Sequence, residues 1–188
     1  MKNNFKFFKK VKKLPADEFF QSVLYDSKIG YYNSKNPLGL RGDFITSPKI
    51  SRLFSEILAI WIISVWEVFE RPKNFNIIEL GPGDGALMKI FLEVFKRFPE
   101  FNNSKRIYLY ELSTFLKKKQ KKNLNLYEIN WINDLNKIKK GPVVFFGNEF
   151  FDSIPIKQFK RKNKNFFEKY YEINKFKEIT ETYRKASS

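Results

Sequence analysis

The chain has 188 residues, with 36 Lys and Arg against 20 Asp and Glu, so its formal net charge is +16 at pH 7. It contains no cysteine and no histidine, which excludes disulfides, thiolate or imidazole metal sites, cysteine nucleophiles and a Ser-His-Asp triad. Hydrophobic residues make up 43% of the sequence, which is enough for a packed core and excludes a disordered chain.

The N-terminal part of the sequence predicts two helices separated by a long polar loop. The first helix is predicted over 15–29 and ends at Gly30, and the loop covers 31–48. Ser47 is predicted to cap the second helix, with Pro48 in its first turn. The predicted buried face of that helix consists of Ile50, Leu53, Phe54, Ile57, Leu58 and Trp61.

From residue 76 onward, strand and helix patterns alternate. Strands are predicted at 76–80, 107–110, 126–130 and 142–146, with helices at 86–98 and 114–123 and a short helix at 134–138. Alternation of this kind predicts an α/β fold with a parallel sheet. Three further strands, predicted at 156–159, 166–173 and 176–179, are separated by polar turns and indicate an antiparallel β-meander.

These patterns divide the chain into five segments. They are a basic N-terminal segment 1–14, a helical and loop cap 15–72, a Rossmann-like cofactor-binding core 73–155, a β-meander 156–182 and a frayed tail 183–188. No apolar run approaches the roughly 20 residues of a membrane span, and no secretory signal is visible. We therefore expect a cytoplasmic bacterial protein without a membrane partner, and a mitochondrial one if the source is a eukaryote.

A glycine-rich loop lies between a predicted strand and a predicted helix. Gly81, Gly83 and Gly85 alternate with Pro82 and Asp84. Glycines allow the backbone to approach a ligand closely, and the following helix start supplies free N–H groups. The loop therefore predicts a nucleotide-like cofactor, although its spacing also fits a dinucleotide-binding motif.

Two acidic residues distinguish between these cofactors. Glu79 ends the strand before the loop, where it can face an ammonium group, and Glu111 ends the next strand, where it can accept ribose hydroxyls. The negative charges of Glu79 and Asp84 disfavour a pyrophosphate, so S-adenosylmethionine is favoured over NAD. The alternatives are a surface-edge carboxylate for Glu79 and a helix N-terminal acid for Glu111.

Several stretches are similar to those of a known family. They are Gly30-Tyr31-Tyr32, GDFITSP at 42–48, ELGPGDG at 79–85, Trp131 and NEFFDSIP at 148–155. Over about residues 15–172 the chain resembles the MidA-like class I S-adenosylmethionine-dependent methyltransferases, relatives of the mitochondrial arginine methyltransferase of complex I assembly. The resemblance implies a Rossmann-like class I methyltransferase fold, S-adenosyl-L-methionine as the cofactor and an arginine-containing protein as the substrate.

The resemblance also implies roles for particular residues. Those expected to bind the cofactor are Glu79, Gly81, Gly83 and Gly85 at the methionine end, Glu111 at the ribose and Asp134 near the adenine. A helix cap is the alternative for Asp134. No metal site is expected.

The acceptor side of the site is expected after the fourth predicted strand. Glu149 and Asp152 would clamp an arginine guanidinium beside Asn148, and the alternative is a helix-start acid pair capped by Asn148. Asp43, Thr46 and Ser47 would belong to a loop that covers the cofactor, and the alternative is a turn with a helix cap.

One departure from the family affects the expected activity. Only 36 residues (188 − 152) follow Asp152, whereas chains of the family continue for a comparable length and complete the sheet. We therefore expect a missing C-terminal half, a second polypeptide that completes the sheet at the fourth strand, or a fold that has been cut down. The alternative functions are a non-catalytic partner protein and, third, an RNA methyltransferase or RNA-binding module, which the lysine clusters suggest but no aromatic–basic RNA signature supports.

Overall fold

The computed structural model of the chain describes residues 8, 12–26, 28–34 and 51–186. The chain forms two compact units, one of residues 1–35 with 152–188 and one of residues 36–151. The strands are β1 (Lys13–Pro15), β2 (Phe75–Leu80), β3 (Lys105–Tyr110), β4 (Asn130–Ile132), β5 (Val143–Phe146), β6 (Phe159–Lys162), β7 (Asn165–Ile173) and β8 (Ile179–Lys185). The helices are α1 (Ala16–Tyr25), α2 (Tyr31–Ser34), α3 (Arg52–Val68), α4 (Ala86–Phe95), α5 (Pro99–Ser104) and α6 (Thr114–Asn123), with short 3-10 turns at Leu135–Lys137 and Phe151–Ser153.

The unit of residues 36–151 contains a parallel four-stranded sheet in the order β4-β3-β2-β5. This confirms the predicted α/β class. Strand β2 is central and almost wholly buried, as expected for a parallel strand covered on both faces. Helices α3 and α4 contribute most of the side chains that fill the main core against β2 and β3. Because β2 lies at the centre, the loop that follows it opens in the middle of one sheet edge.

Most predicted elements of this unit are confirmed, and the third strand is shifted. The prediction of 126–130 is wrong, since β4 begins at Asn130. The chain instead turns after α6, where the Tyr127 N–H donates to the Leu124 carbonyl at 3.1 Å. Leu124 is buried at the end of α6 and Leu126 is exposed, so the residue at which the predicted strand began lies in the turn instead.

Two predictions about α3 are wrong. Its N-cap is Ser51, whose Oγ accepts from the Phe54 N–H, and not Ser47. Its buried face is also the opposite one: Leu53, Ile57 and Trp61 are exposed, while the core is lined by Ser55, Ala59, Ile62, Ile63 and Trp66. A helix with apolar residues on two opposite faces gives no periodic signal for which of the two is the inward face.

Other helix ends differ by a few residues. Helix α1 ends at Tyr25 rather than near residue 29, and α2 occupies the start of the predicted loop. Helix α4 ends at Phe95 rather than at residue 98, because Pro99 opens a separate helix, α5. The remainder of the predicted loop, from residue 35 to residue 48, lies outside the described residues.

The other unit contains an antiparallel sheet built around β7. Along one edge of β7, its first residues pair with β6 and its last residues pair with β1. The other edge of β7 pairs with β8. The antiparallel meander is confirmed, but its first and third strands are shifted, since β6 begins at Phe159 rather than at residue 156 and β8 at Ile179 rather than at residue 176. Strand β1 within the predicted basic segment was missed, and the prediction of a frayed tail from residue 183 is wrong because β8 continues to Lys185. Phe19 of α1 stacks on Tyr171 with ring centroids 4.4 Å apart and forms part of the core of this unit.

Within the described ranges, no helix has the length and apolarity needed to cross a bilayer.

Candidate functional site

The candidate site lies at the carboxyl edge of the parallel sheet. Strands β2, β3, β4 and β5 all run in the same direction, so their ends meet at this edge. Glu79 is in register with Leu109 and Phe146, and Glu111 follows β3 directly with its backbone N–H donating to Ile132. The sheet therefore brings together acids and glycines that are separated by about thirty residues in sequence. This edge is where open α/β sheets bind ligands.

The glycine loop adopts a backbone that side chains disfavour. Gly81, Gly83 and Gly85 have φ angles of 61°, 58° and 83°, all in the left-handed region. The loop is held by the Gly81 N–H, which donates to Tyr110 at 3.0 Å, and by the Gly85 N–H, which donates to Pro82 at 2.8 Å. Gly85 caps α4 without a side chain of its own, and the Ala86 N–H in the first turn donates to Asp84 Oδ1 at 3.3 Å.

An aromatic ring lies against the first glycine. A Cβ added to Gly81 would lie 2.6 Å from Cδ2 of Phe150, and one added to Gly147 would lie 2.8 Å from Cβ of Phe150. The absence of a side chain at both glycines is thus what admits Phe150 to the edge between β2 and β5. The sequence motif predicts close approach of a ligand to Gly81, whereas the group that approaches Gly81 in the structure is the Phe150 ring.

Glu79 is a buried carboxylate that forms no ion pair with any of the residues that the structure describes. It is only 2% exposed, and within the described ranges its Oε2 has no hydrogen-bond partner. Burial, with smaller contributions from Asp84 and Glu111, raises the pKa of Glu79 to about 8. A buried, unpartnered carboxylate at a sheet edge is well suited to bind a cationic group.

Glu111 is also buried, but it is anchored by the protein. Its Oε1 accepts from the Ser113 N–H at 2.7 Å and its Oε2 accepts from Gln120 Nε2 at 3.0 Å. Burial raises the pKa of Glu111, and these hydrogen bonds oppose the shift. A carboxylate offers about four lone-pair sites, so both oxygens retain capacity for the hydroxyls of a diol.

Gln120 connects three parts of the site and was missed by the sequence analysis. Its Nε2 donates to Gly83 at 2.8 Å and to Glu111, while its Oε1 accepts from Trp131 Nε1 at 3.1 Å. The side chain is fully buried, and every one of its donors and acceptors is used. A sequence signal existed, because Gln120 follows the buried Leu116 at helical spacing on an otherwise lysine-rich helix.

The predicted acceptor residues lie just after β5. Glu149 is exposed and has a φ of 55°, which is uncommon for a residue other than glycine, and Asn148 beside it is half-buried. Asp152 is exposed in the 3-10 turn Phe151–Ser153 and is assigned to the other unit. The unusual backbone of Glu149 is a conformational feature that the sequence did not reveal.

The remaining predicted residues are accounted for as follows. Asp134 caps the 3-10 turn Leu135–Lys137, where its Oδ1 accepts from the Asn136 N–H at 2.9 Å. This is the alternative role that the sequence analysis considered for Asp134. Asp43, Thr46 and Ser47 lie outside the described residues.

Comparison with known proteins gives consistent matches. Residues 57–188 match a family described as "Putative S-adenosyl-L-methionine-dependent methyltransferase". The chain is 32% identical over 181 residues to the human mitochondrial protein arginine methyltransferase NDUFAF7, and 32% identical over 168 residues to the homologue of that protein in Drosophila melanogaster. A COG1565 superfamily member from Burkholderia thailandensis, solved with bound S-adenosyl-homocysteine, shares the fold with a TM-score of 0.78 at 22% identity.

These matches cover most of this chain but less than half of the proteins matched. The aligned region is 84% of this chain and 41% of the human protein, and 76% of this chain and 38% of the fly protein. For the Burkholderia structure the values are 94% and 47%. The chain thus spans about two fifths of the length of the curated relatives it matches.

Proposed function

We propose that this chain, which belongs to the family of S-adenosyl-L-methionine-dependent methyltransferases that its family match and its relatives define, binds S-adenosylmethionine at the carboxyl edge of its parallel sheet. The observation that supports this most directly is the buried Glu79, whose Oε2 has no partner among the described residues. S-adenosylmethionine carries an ammonium group, which is a suitable partner for this carboxylate. The proposed activity is transfer of the cofactor's methyl group to an arginine of a protein substrate.

The residues at the edge fit this cofactor. Glu79 would hold the ammonium, the turn from Gly81 to Gly85 would admit the methionine chain against the backbone, and Glu111 would accept the ribose hydroxyls. Asp134 would lie on the adenine side, with its cap fixing its orientation. Support for these roles comes from the positive φ angles of the glycines, the burial of both acids and the shared sheet edge.

Glu149, with Asn148 beside it, is proposed to bind the acceptor; the role expected for Asp152, which belongs to the other unit, stays a prediction. A guanidinium remains protonated at any physiological pH and is well matched by carboxylate oxygens. When bound, the cofactor would supply a methyl group on a positively charged sulfur. A nitrogen–carbon bond would form as the sulfur–carbon bond breaks, and the N–H proton that the acceptor loses would pass to the Glu149 carboxylate. That carboxylate would also orient the nitrogen and offset the positive charge near it.

The first test is calorimetry with S-adenosylmethionine and a variant in the glycine loop. We expect one site per chain, and we expect Gly81→Ala to weaken binding by about tenfold or more. The backbone at Gly81 is left-handed, a conformation that costs a residue with a Cβ about 1–2 kcal/mol, and the added Cβ would also press on Phe150. Titration of both proteins with the cofactor gives the two dissociation constants.

The matched control is Gly141→Ala. Gly141 also has a positive φ, 141°, and an added Cβ there would lie 2.8 Å from the Asn74 carbonyl, but it precedes β5 at the opposite edge of the sheet. We expect the control to lose stability and keep its affinity. Equal affinity of Gly81→Ala and the wild type, or absence of any cofactor binding by the wild type, would contradict the proposal.

A second test addresses the acceptor carboxylate. We expect Glu149→Gln to lower the rate of methyl transfer to a degenerate mixture of arginine-containing peptides about a hundredfold, because an amide neither pairs with a guanidinium nor accepts its proton. Cofactor affinity should stay unchanged. The rate is measured by mass spectrometry of the methylated peptides.

Glu70→Gln is the control for this variant. Glu70 is likewise an exposed glutamate with positive φ, 60°, but it follows α3 near the start of β2. An unchanged rate of methyl transfer in Glu149→Gln would show that Glu149 does not bind the acceptor. Cofactor binding without methyl transfer by the wild type would instead favour a non-catalytic partner protein.

The partner and location expected from the sequence remain part of this proposal. Strand β5 is at one edge of the parallel sheet, and Phe145 on it is exposed, so a further polypeptide equivalent to the rest of the longer relatives would be added there. The relatives named above are mitochondrial proteins. For this chain we propose the bacterial cytoplasm, or the mitochondrion if the source is a eukaryote.

A further inference from the structure

Helix α3 has an apolar face that is exposed in the part of the chain that the structure describes. Its inward face packs into the core, with Ala59, Ile62 and Trp66 among the buried residues. The outward residues, here called the α3 stripe, are Leu53, Phe54, Ile57, Ile60, Trp61, Ser64 and Val68. A helix that is apolar on both sides is typical of one buried on both sides.

The α3 stripe is continuous and contains no charge. At helical geometry its members fall within an arc of roughly 120°, directly opposite the buried face. Leu53, Ile57 and Trp61 remain 63%, 58% and 54% exposed. Its one hydroxyl, Ser64 Oγ, donates to the Ile60 carbonyl at 3.1 Å within the helix, so that group does not depend on water.

We propose that the α3 stripe is covered by the same stripe of a second copy of this chain, in an antiparallel, two-fold symmetric pair. A two-fold axis between Ile60 and Trp61 places these two residues opposite each other. The same axis places Leu53 opposite Val68 and Ile57 opposite Ser64. In both of these pairs a smaller residue, Val68 or Ser64, faces a larger one, Leu53 or Ile57. The stripe is thus complementary to itself, as an isologous interface requires.

The charges beside the stripe are already paired within each copy. Arg52 binds Glu56 and Glu93, both at 2.8 Å. Arg71 binds Glu67 at 2.8 Å and Glu100 at 3.1 Å. Two stripes can therefore meet without bringing unpaired like charges together. The net charge of +16 still opposes association at long range, so added salt should strengthen the pair.

The size of the stripe determines the expected affinity. Its side chains expose on the order of 400 Å² of apolar surface per copy. This is a patch of the size that marks interaction sites, but it is below the roughly 800 Å² per partner of a standard interface. We therefore expect a dimer that dissociates in the micromolar range rather than a permanent one.

Sedimentation velocity over about 1 to 300 µM tests the proposal. The wild type should change from monomer to dimer across this range, and the midpoint should move to lower concentration as salt is raised. Ile60→Glu and Ile57→Glu should each raise the dissociation constant at least tenfold, because each would bury an unpaired charge at the pair. Two exposed positions are used so that one poorly folded variant, detected by circular dichroism, does not decide the result.

The matched control is Leu126→Glu. Leu126 is more exposed than any residue of the stripe, at 82%, and lies in the turn after α6. It should dimerise as the wild type does. A wild type that stays monomeric at every concentration and salt overturns the proposal and favours coverage by a different polypeptide; a dimer that both stripe variants retain, or that salt dissociates, overturns it too. Neither result depends on whether the chain binds S-adenosylmethionine.

Discussion

Affinity for S-adenosylmethionine is expected to rise steeply with pH, by up to about a hundredfold between about pH 6 and pH 8. The cause is Glu79, whose pKa is raised to about 8 chiefly by burial. Below that pH the carboxyl is protonated and cannot attract the ammonium of the cofactor, so each unit of pH lowers the affinity about tenfold. Near pH 7, binding should therefore release a proton, which calorimetry in two buffers of different ionisation enthalpy measures.

Two controls isolate Glu79. Glu79→Gln should bind more weakly at pH 8 and lose the pH dependence, because an amide does not titrate in this range. Methylthioadenosine has the nucleoside but no ammonium. Its affinity should therefore not change with pH through Glu79, in the wild type or in Glu79→Gln. Finding the same slope in Glu79→Gln, or the same slope with methylthioadenosine, would show that another group is responsible.

The titration of Glu79 also makes the free energy of unfolding depend on pH. The pKa of Glu79 is higher in the folded chain, about 8, than its usual 4.5, so the folded state binds the proton more tightly. Its contribution to the free energy of unfolding is fully present below about pH 4.5 and is lost as the pH rises toward 8. Glu111 shifts in the same direction, so the comparison of wild type with Glu79→Gln in urea, rather than the wild-type slope alone, measures the contribution of Glu79.

Replacing Gln120 by Leu is expected to lower the free energy of unfolding by on the order of 3 kcal/mol and to weaken cofactor binding. The leucine would leave the buried Gly83 carbonyl, one oxygen of Glu111 and the Trp131 indole N–H without their partner. Each unsatisfied buried group costs about 1–3 kcal/mol, less for the partly exposed indole. Urea unfolding and titration with S-adenosylmethionine provide the two measurements.

Gln21→Leu is the control for Gln120→Leu. Gln21 is exposed on α1, so the same chemical change there should alter stability by no more than about 0.5 kcal/mol. If Gln120→Leu were as stable as the control and bound the cofactor equally well, Gln120 would not brace the glycine loop and Glu111. Loss of stability with unchanged affinity would limit its role to folding.

Much of the candidate site was predictable because its signals are local. The strand before Gly81, the glycine loop and helix α4 follow one another within about twenty residues, and each is specified by its own residue types. Glu79 and Glu111 could be placed at one edge because parallel strands share their direction. The prediction for β4 was wrong because the apolar residues after α6 lie in a turn and a loop, and pairing with β3 begins only at Asn130.

By itself, the sequence determined the α/β class, the family and the glycine loop with its two acids, because backbone conformation and strand direction follow from nearby residues. Only the tertiary structure decided which face of α3 is buried, since an apolar helix is oriented by what packs on it. It also decided that Gln120 joins Gly83, Glu111 and Trp131, because contacts between residues 37 positions apart are fixed by packing and not by local spacing. The burial that leaves Glu79 Oε2 without a partner arises in the same way, from the neighbouring strands and loops of the folded sheet.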